Sequence, residues 1–431
     1  MPVIKVAQDL VRTVTVLTRT GLLAPLRPDK YVRMAAAISR EAMNATTGIT
    51  LASVRCPDRV ALVDERGTLT WAELESRINA LAAGLAALPG GPPTTIAILC
   101  RNHRGFVESL AAAGKIGADV LLLNTGFAGP QLSEVLAREG SGLIILDEEF
   151  EGLLDPESPI ERVLGWTDRV ETEAPTVEGL IQANAGQRAP VPDKPGRVVL
   201  LTSGTTGTPK GAKRAAGGDV STLVVMLERI PWRTEENVVV AAPMFHAWGF
   251  GQLIIAATMS CTVIMRRRFD PEATMAMVAT HRATGLGLVP VMLERMVDLP
   301  DEVRRRYDLS SLRFVTASGS RMRPDAVTSF LDEVGDVIYN SYNATEAGMI
   351  TIAGPAELRI APDTAGRAVE AMERRDSAGV VHAKQCADAI VATVVGAAHE
   401  CMAADVQERS ERLGAVDVAG EFVKLHEAAG Q

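Results

Sequence analysis

A segment rich in glycine, hydroxyl and lysine residues follows an apolar stretch near the middle of the chain. Residues 197–201 indicate a strand, and Thr202–Gly211 continue as Thr-Ser-Gly-Thr-Thr-Gly-Thr-Pro-Lys-Gly. Glycine permits positive φ, which lets successive N–H groups face one anion, and the hydroxyls and Lys210 add donors and a cation. The segment predicts a phosphate-binding loop, with these candidate residues: Thr202, Ser203, Gly204, Thr205, Thr206, Gly207 and Lys210.

The loop differs from two common nucleotide-binding patterns. Pro209 stands where the Walker A motif has glycine before lysine, and Gly285-Leu286-Gly287 is followed by Pro290 where a dinucleotide fingerprint has glycine. No G-x-S-x-G or H-E-x-x-H pattern occurs in the sequence. A surface turn is the alternative interpretation of the loop, but so many donors directly after a strand favour phosphate binding.

Three further segments lie at or near predicted strand ends. They are Pro243–Gly249 (Pro-Met-Phe-His-Ala-Trp-Gly), Thr316–Ser320 (Thr-Ala-Ser-Gly-Ser) and Tyr339–Glu346 (Tyr-Asn-Ser-Tyr-Asn-Ala-Thr-Glu). Together with the loop, they resemble the signature segments of adenylate-forming enzymes, the AMP-binding superfamily that includes acyl-CoA synthetases. The likeness spans roughly residues 50–367 and ends at Asp-Thr-Ala-Gly-Arg, residues 363–367.

The resemblance implies an ATP site with Mg²⁺. Tyr342 would stack on adenine, Gly319 would line the adenine pocket, and Thr345 would contact the phosphate region. Glu346 would hold Mg²⁺, which would bridge phosphate oxygens and neutralise charge as pyrophosphate departs. The implied catalytic residues are Lys210, Thr345 and Glu346. Asn343 replaces the usual glycine of this segment, and we expect asparagine to keep the turn because it tolerates left-handed geometry.

The resemblance also implies an acyl pocket, with His246 near the carboxylate and Trp248 and Gly249 shaping the tunnel. Amino-acid-activating relatives carry an aspartate here that pairs with the substrate amine, and none occurs from Pro243 to Gly251. A carboxylic acid without an amine, such as a fatty acid, is therefore favoured, with coenzyme A as acyl acceptor. Arg101-Asn102-His103, which follows a predicted strand, resembles the fatty-acid branch of acyl-CoA synthetases.

Alternating strand and helix patterns surround these segments and must position them. The alternation predicts an α/β fold of stacked lobes with largely parallel sheets, of the kind found in the N-terminal domain of adenylate-forming enzymes. Residues 51–196 form the predicted first lobe and its linker, and 197–367 form the second lobe with the ATP-binding motifs. The linker begins at Asp147, and we expect one helix within it. Residues 1–50 are predicted to be a helical segment.

The last part of the sequence, residues 368–431, is rich in alanine, glutamate and valine and has no clear strand pattern. It predicts an atypical helical tail. A complete relative would continue with a ribose-binding aspartate, a hinge and a domain carrying a catalytic lysine. Lys384 and Lys424 are the only lysines in this stretch, and neither lies in a matching context. We therefore expect an incomplete enzyme with impaired activity. The alternative is a non-catalytic protein that retains the nucleotide and acyl pockets.

Composition narrows the classes of partner. The formal net charge of −9 and the absence of a basic stripe argue against nucleic acid, and both arginine triplets, 266–268 and 304–306, are expected on the solvated surface. Five scattered cysteines favour reduced thiols in a cytoplasmic protein. No secretory signal is evident at the N-terminus. A peripheral membrane contact of the N-terminal helix stays open, although packing on the body is favoured.

Overall fold

Strands and helices alternate through the computed structural model, which describes residues 2–24, 26–40, 44–202, 210–213, 220–344 and 348–368. The strands are β1 Val60–Asp64, β2 Gly67–Thr70, β3 Thr95–Leu99, β4 Asp119–Leu122, β5 Leu143–Asp147, β6 Glu161–Trp166, β7 Val198–Thr202, β8 Lys210–Lys213, β9 Asn237–Val240, β10 Thr262–Ile264, β11 Gly285–Leu288, β12 Phe314–Ala317, β13 Ile338–Ala344, β14 Gly348–Ala353 and β15 Arg367–Ala368. The helices are α1 Pro2–Arg19, α2 Pro28–Arg40, α3 Thr47–Arg55, α4 Trp71–Ala86, α5 Arg104–Lys115, α6 Gly129–Glu139, α7 Val177–Ala183, α8 Val220–Arg229, α9 Ala247–Thr258, α10 Pro271–Thr280, α11 Pro290–Val297, α12 Asp301–Arg304, α13 Pro324–Val334 and α14 Pro355–Ile360.

Two sheets organise these elements. The larger has nine strands in the order β15-β14-β13-β12-β11-β9-β10-β1-β2, and the smaller has six in the order β6-β5-β3-β4-β7-β8. Pairing from β1 through β10, β9, β11 and β12 to β13 is parallel, and among the described strands antiparallel pairing occurs only toward the edges of the sheets. Parallel sheets need helical crossovers that cover their faces. The α/β fold with largely parallel sheets, predicted from the alternation, is confirmed.

The sheets exchange strands across the predicted boundary between residues 196 and 197. The hairpin β1–β2 belongs to the nine-stranded sheet, and β7 and β8 complete the six-stranded sheet. Strand β7 therefore pairs with β4, so the strand that leads into the predicted phosphate loop is part of the sheet built by the earlier residues. Local strand patterns do not specify which sheet a strand joins.

Each sheet buries an apolar face against helices. On the nine-stranded sheet, Val239, Leu286, Leu288, Val315 and Ile338 face side chains of α10, α11, α13 and α14 in one core cluster. On the six-stranded sheet, a second cluster joins strand residues such as Ala97, Leu121 and Ile144 to helix α6. Alternate strand residues point to opposite faces, so the other face of each sheet must pack separately.

The segment after Asp147 contains more structure than its sequence indicates. A short 3-10 turn spans Glu148–Leu153, α7 is the one predicted helix, and β6 adds a parallel edge strand beside β5. The one expected helix is present, but the strand β6 was not predicted, because it begins with two charged residues and the four residues that follow are a pattern too short to detect. Strands β8, β14 and β15 were likewise not predicted.

The two arginine triplets are not uniformly solvated. The guanidinium carbon of Arg267 lies 4.6 Å from the Trp166 ring centroid, and its Nη2 lies 3.2 Å from Glu149 Oε1. In the second triplet, Arg304 has a side chain only 13% exposed and lies 2.9 Å from Glu333 Oε1. The surface expectation was wrong for these two residues because arginine combines an apolar stem with a head that binds carboxylates and aromatic faces.

The N-terminal helix α1 contacts helix α8. Arg12 Nε donates to Glu228 Oε1 at 3.1 Å, and Arg19 Nη2 donates to the Leu227 carbonyl at 3.1 Å. Both bonds hold the second half of α1 against residues more than 200 positions away in the sequence. Within the part of the chain that the structure describes, no helix has both the length and the hydropathy to cross a membrane. The predicted helical tail, 368–431, lies outside the described residues except for Ala368 in β15.

Candidate active site

The predicted site segments follow the carboxyl ends of neighbouring parallel strands. Residues 243–249 come after β9, residues 316–320 end β12, and residues 339–343 lie in β13. Strands β9, β11, β12 and β13 are adjacent in the nine-stranded sheet. The carboxyl ends of parallel strands meet at one sheet edge, which is where α/β proteins commonly bind ligands. The structure therefore brings these three segments to a common edge.

The predicted phosphate loop connects two paired strands. Thr202 at the end of β7 pairs with Lys210 at the start of β8 in an antiparallel register, so the ends of the loop are held side by side. Ser203, Gly204, Thr205, Thr206 and Gly207 lie outside the described residues, as do Thr345 and Glu346. Their roles, and those of the Thr202 and Lys210 side chains, stay predictions.

His246 is the N-cap residue of α9 and makes no side-chain capping bond. Its backbone N–H donates to the Pro243 carbonyl at 3.1 Å, and its carbonyl accepts from Phe250 N at 2.9 Å, which fixes the backbone. The imidazole ring lies 4.4 Å from the Phe245 ring and, although part of it reaches solvent, the surrounding protein displaces enough water to lower its pKa. A neutral imidazole at pH 7 can both donate and accept a hydrogen bond.

Trp248 and Gly249 lie in the first turn of α9. The Trp248 indole N–H donates to the Leu288 carbonyl at 2.9 Å, which ties the helix to the end of β11. A side chain at Gly249 would place its Cβ 2.2 Å from the Pro243 carbonyl oxygen, so glycine is needed for the close approach of helix and preceding loop. The acyl-pocket role of these residues stays a prediction, and the contacts explain how the segment is held.

The ends of β12 and β13 are joined through side chains. Asn343 Nδ2 donates to Ser318 Oγ at 2.9 Å, beside Gly319, whose φ of +111° favours glycine. Asn343 lies in extended β13, and the described non-glycine residues with positive φ are Glu235, Ser260 and Arg282. The expectation that Asn343 would keep a turn by adopting left-handed geometry was wrong, because Asn343 is an extended strand residue. Its amide instead bonds Ser318. Tyr342, in the same strand, is partly exposed.

Asn102 connects the carboxyl end of β3 to the segment that precedes His246. Its Nδ2 donates to the carbonyls of Ala242 at 2.9 Å and Val240 at 3.3 Å, and its Oδ1 accepts from Met244 N at 2.9 Å. The side chain is 6% exposed, and all of its amide groups take part. The sequence singled out residues 101–103 by resemblance alone, and the structure adds a bridge between the two sheets.

His103, Cys100 and Asp147 form a buried cluster whose three potential ligand atoms lie within 4.8 Å of one another. His103 Nε2 lies 2.7 Å from Asp147 Oδ1, and His103 Nδ1 accepts from Gly105 N at 3.1 Å. Asp147 Oδ2 accepts from Arg101 N at 2.9 Å. Burial, followed by the charge of Asp147, raises the pKa of the Cys100 thiol. Both ring nitrogens of His103 are engaged in hydrogen bonds, and the raised pKa keeps the Cys100 thiol protonated. The bonds to Arg101 N and Gly105 N hold the turn that carries Asn102.

The sequence analysis overlooked two buried polar residues near these segments. Gln252 lies on α9, the helix that His246 caps, and Ser341 lies on β13 next to Tyr342. Both are almost fully buried, with 0% and 3% of their surface exposed. Among the described residues, Gln252 Nε2 and Ser341 Oγ have no hydrogen-bond partner. A polar residue that falls on the helix face toward the sheet was the available signal at position 252.

A family model described as AMP-binding enzyme matches residues 51–376. The match includes the phosphate loop, the three segments at the sheet edge and Asn102. The chain belongs to the AMP-binding enzyme family. This result confirms the superfamily that was recognised from the four motifs. It does not distinguish the branches within the superfamily.

Similar proteins of this family include ligases that form CoA thioesters. Feruloyl-CoA synthase of Amycolatopsis sp is 31% identical over 290 residues, covering 65% of this chain and 55% of the relative. The 2-succinylbenzoate–CoA ligase of Bacillus subtilis is 27% identical over 295 residues, covering 67% and 56% of the two chains. The chain thus spans somewhat more than half the length of these relatives.

Solved structures share the fold. The N-terminal domain of FACL13 from Mycobacterium tuberculosis superposes with a TM-score of 0.66 at 21% sequence identity, covering 76% of this chain and 82% of that domain. At this identity the likeness concerns the fold, and it agrees with the predicted N-terminal-domain architecture of adenylate-forming enzymes.

Proposed function

We propose that this AMP-binding protein activates a carboxylic acid with ATP and transfers the acyl group to coenzyme A. The observation that carries the proposal is the family match over residues 51–376, which includes every predicted site segment. In the first step the carboxylate oxygen bonds to the α-phosphorus of ATP and pyrophosphate leaves. In the second, the CoA sulfur bonds to the acyl carbon and AMP leaves.

The proposed roles follow the predicted motifs. Lys210 and the donors of residues 202–207 bind phosphate oxygens, and Thr345 contacts the same region. Glu346 would hold Mg²⁺, which would supply positive charge to neutralise the departing pyrophosphate. We assign His246, at the start of α9, the role of hydrogen-bonding the acid or its adenylate, and its lowered pKa favours the neutral imidazole for this role.

Two classes of acid are candidates for the substrate: the fatty acid that the sequence favoured and an acid that carries an aromatic ring. Feruloyl-CoA synthase and 2-succinylbenzoate–CoA ligase are named for acids that carry an aromatic ring. The first turn of α9 supplies Trp248 and Phe250 next to His246, and aromatic side chains pack well against a planar ring. We therefore propose an aromatic acid as substrate and keep fatty acids as the comparison.

The test is ATP–pyrophosphate exchange by the purified chain with matched panels of aromatic and fatty acids. We expect exchange with aromatic acids, reduced about 100- to 1,000-fold by Lys210→Ala and by Glu346→Ala, because each removes a charge that stabilises the transition state or its metal. Lys194→Ala and Glu171→Ala change exposed residues of the same types and should leave exchange unaffected.

The outcomes separate the alternatives. Exchange that is equally fast in the Lys210 and Glu346 variants would contradict the proposed site. Exchange with fatty acids alone would show that the substrate is a fatty acid, as the sequence favoured, and not an aromatic acid. Binding of AMP without any exchange would support the non-catalytic alternative, and slow exchange that depends on both residues would agree with the predicted impairment.

A further inference from the structure

The two faces of the nine-stranded sheet differ in character beside the proposed site. Gly287 pairs with Thr316, and Thr316 pairs with Tyr339, so these three residues share one face. Ser341, two residues after Tyr339 in β13, lies on that face too. The opposite face carries the apolar core residues Leu286, Leu288, Val315, Ala317 and Ile338. Thr316 and Ser341 thus place hydroxyl groups on the face that α9 covers, whereas Asn340, which pairs with Ala317, lies on the opposite face.

Gln252 of α9 lies against the sheet face that carries Gly287 and Thr316. A Cβ on Gly287 would lie 3.0 Å from Gln252 Cγ and 3.2 Å from its Oε1, so the absence of a side chain at residue 287 makes room for the amide. Gln252 Oε1 accepts from Thr316 Oγ1 at 3.1 Å, which orients the amide group. Its Nε2 carries two N–H donors, and within the described ranges neither has an acceptor.

A second unpartnered donor lies on the same face. Ser341 Oγ is buried and has no hydrogen-bond partner in the described part of the chain. Most buried polar side chains in folded proteins are hydrogen-bonded, so two exceptions on one sheet face require an explanation. The simplest is a ligand that supplies the missing acceptor.

We propose that Gln252 and Ser341 form a polar subsite that binds an acceptor oxygen on the acyl group. This inference rests on the proposed function, because Gln252 belongs to the helix that His246 caps, and Ser341 directly precedes Tyr342 in β13. The substrate class is then an aromatic acid with a carbonyl, ether or hydroxyl oxygen on or near its ring. An unsubstituted ring or an alkyl chain would leave both donors unpaired.

The test measures binding of non-hydrolysable acyl-sulfamoyl adenosines by titration calorimetry, so that no turnover is needed. The probes are the cinnamoyl compound and its 3-methoxy and 4-methoxy derivatives. We expect the wild-type chain to bind at least one methoxy compound about tenfold more tightly than the unsubstituted one, as one added hydrogen bond allows. Gln252→Leu, and independently Ser341→Ala, should reduce this preference to near unity.

A matched variant, Gln182→Leu, replaces an exposed glutamine on α7 and should keep the preference. Equal binding of all three compounds by the wild type would overturn the subsite while leaving the proposed function intact. A preference that survives in both Gln252→Leu and Ser341→Ala would overturn it as well. If none of the compounds binds, the proposed function fails together with the subsite. Ser341→Ala serves as the test if Gln252→Leu does not fold.

Discussion

Gly249 lies where the first turn of α9 passes over the loop that follows β9. A Cβ there would be 2.2 Å from the Pro243 carbonyl oxygen and 2.7 Å from the Ala242 carbonyl oxygen, distances that no side chain tolerates. The obstacle is backbone, which cannot rotate away as a flexible side chain would. The position of His246, three residues earlier, therefore depends on the absence of a side chain at residue 249.

We predict that Gly249→Ala lowers the free energy of unfolding by about 1–3 kcal/mol, as expected for overpacking, and weakens binding of acyl-sulfamoyl adenosines. Gly251→Ala is the matched control, since a Cβ at that position meets no atom within 4 Å. In the helix it should be neutral or slightly stabilising. Urea unfolding and calorimetry would measure both effects, and equal behaviour of the two variants would contradict the close-approach argument.

Asn102 is the main polar connection between the end of β3 and the segment after β9. Its amide bonds the Val240 carbonyl at the end of β9, and the Ala242 carbonyl and Met244 N–H in the loop that leads to His246. The hydrogen bond between His103, the next residue, and Asp147 fixes the turn that carries the Asn102 side chain. Two elements from different sheets are thus aligned by one side chain.

We predict that Asn102→Ala costs about 3 kcal/mol of unfolding free energy, because buried backbone groups lose their partners. Asn102→Asp should cost at least as much at pH 7, since a carboxylate oxygen would face the Val240 and Ala242 carbonyls. Asn237→Ala, which removes one bond to the His281 carbonyl from a partly buried site, should cost only about 1 kcal/mol. Denaturant unfolding would rank the variants, and an Asn102→Ala cost no larger than that of Asn237→Ala would refute the bridging role of Asn102.

At the scale of the whole molecule, a buried ion pair joins the two sheets. Asp64 at the end of β1 accepts from the Arg104 backbone N at 2.9 Å and from the Arg104 guanidinium at 2.6 Å, at the start of α5. Burial raises the pKa of the Asp64 carboxyl, but hydrogen bonds and charge from Arg104 outweigh it, so the pKa lies below its usual value. Arg66 also spans the sheets, with its guanidinium carbon 3.9 Å from the Trp166 ring centroid.

The lowered pKa of Asp64 fixes the sign of a pH effect. The stabilisation from the pair is present above the unfolded-state pKa of 3.8 and is lost as pH falls through the lower folded-state pKa. Asp64→Asn should therefore cost about 3–5 kcal/mol at pH 7, and its difference from the wild type should narrow below about pH 4. Urea unfolding from pH 7 to 3.5 would measure this, with exposed Asp58→Asn as control. A difference that stays constant down to pH 3.5 would contradict the linkage.

The sequence by itself determined the fold class, the family and the segments that we propose to form the site. Glycine and hydroxyl spacing in residues 202–211 and the residue types of 243–249 are local properties, and so is the alternation of strands and helices. Local patterns record what a segment can do, because backbone geometry and side-chain chemistry are properties of neighbouring residues.

Only the tertiary structure decided the contacts between distant segments. It placed β1 beside β10 with β2 at the edge, gave Asn102 its three backbone partners, and set Gln252 against Gly287. It also showed that Asn343 bridges to Ser318 in place of the turn we expected. Such pairings depend on which strands become neighbours and on how closely a helix approaches a sheet. No periodicity in the sequence encodes those distances, because they follow from packing the whole chain.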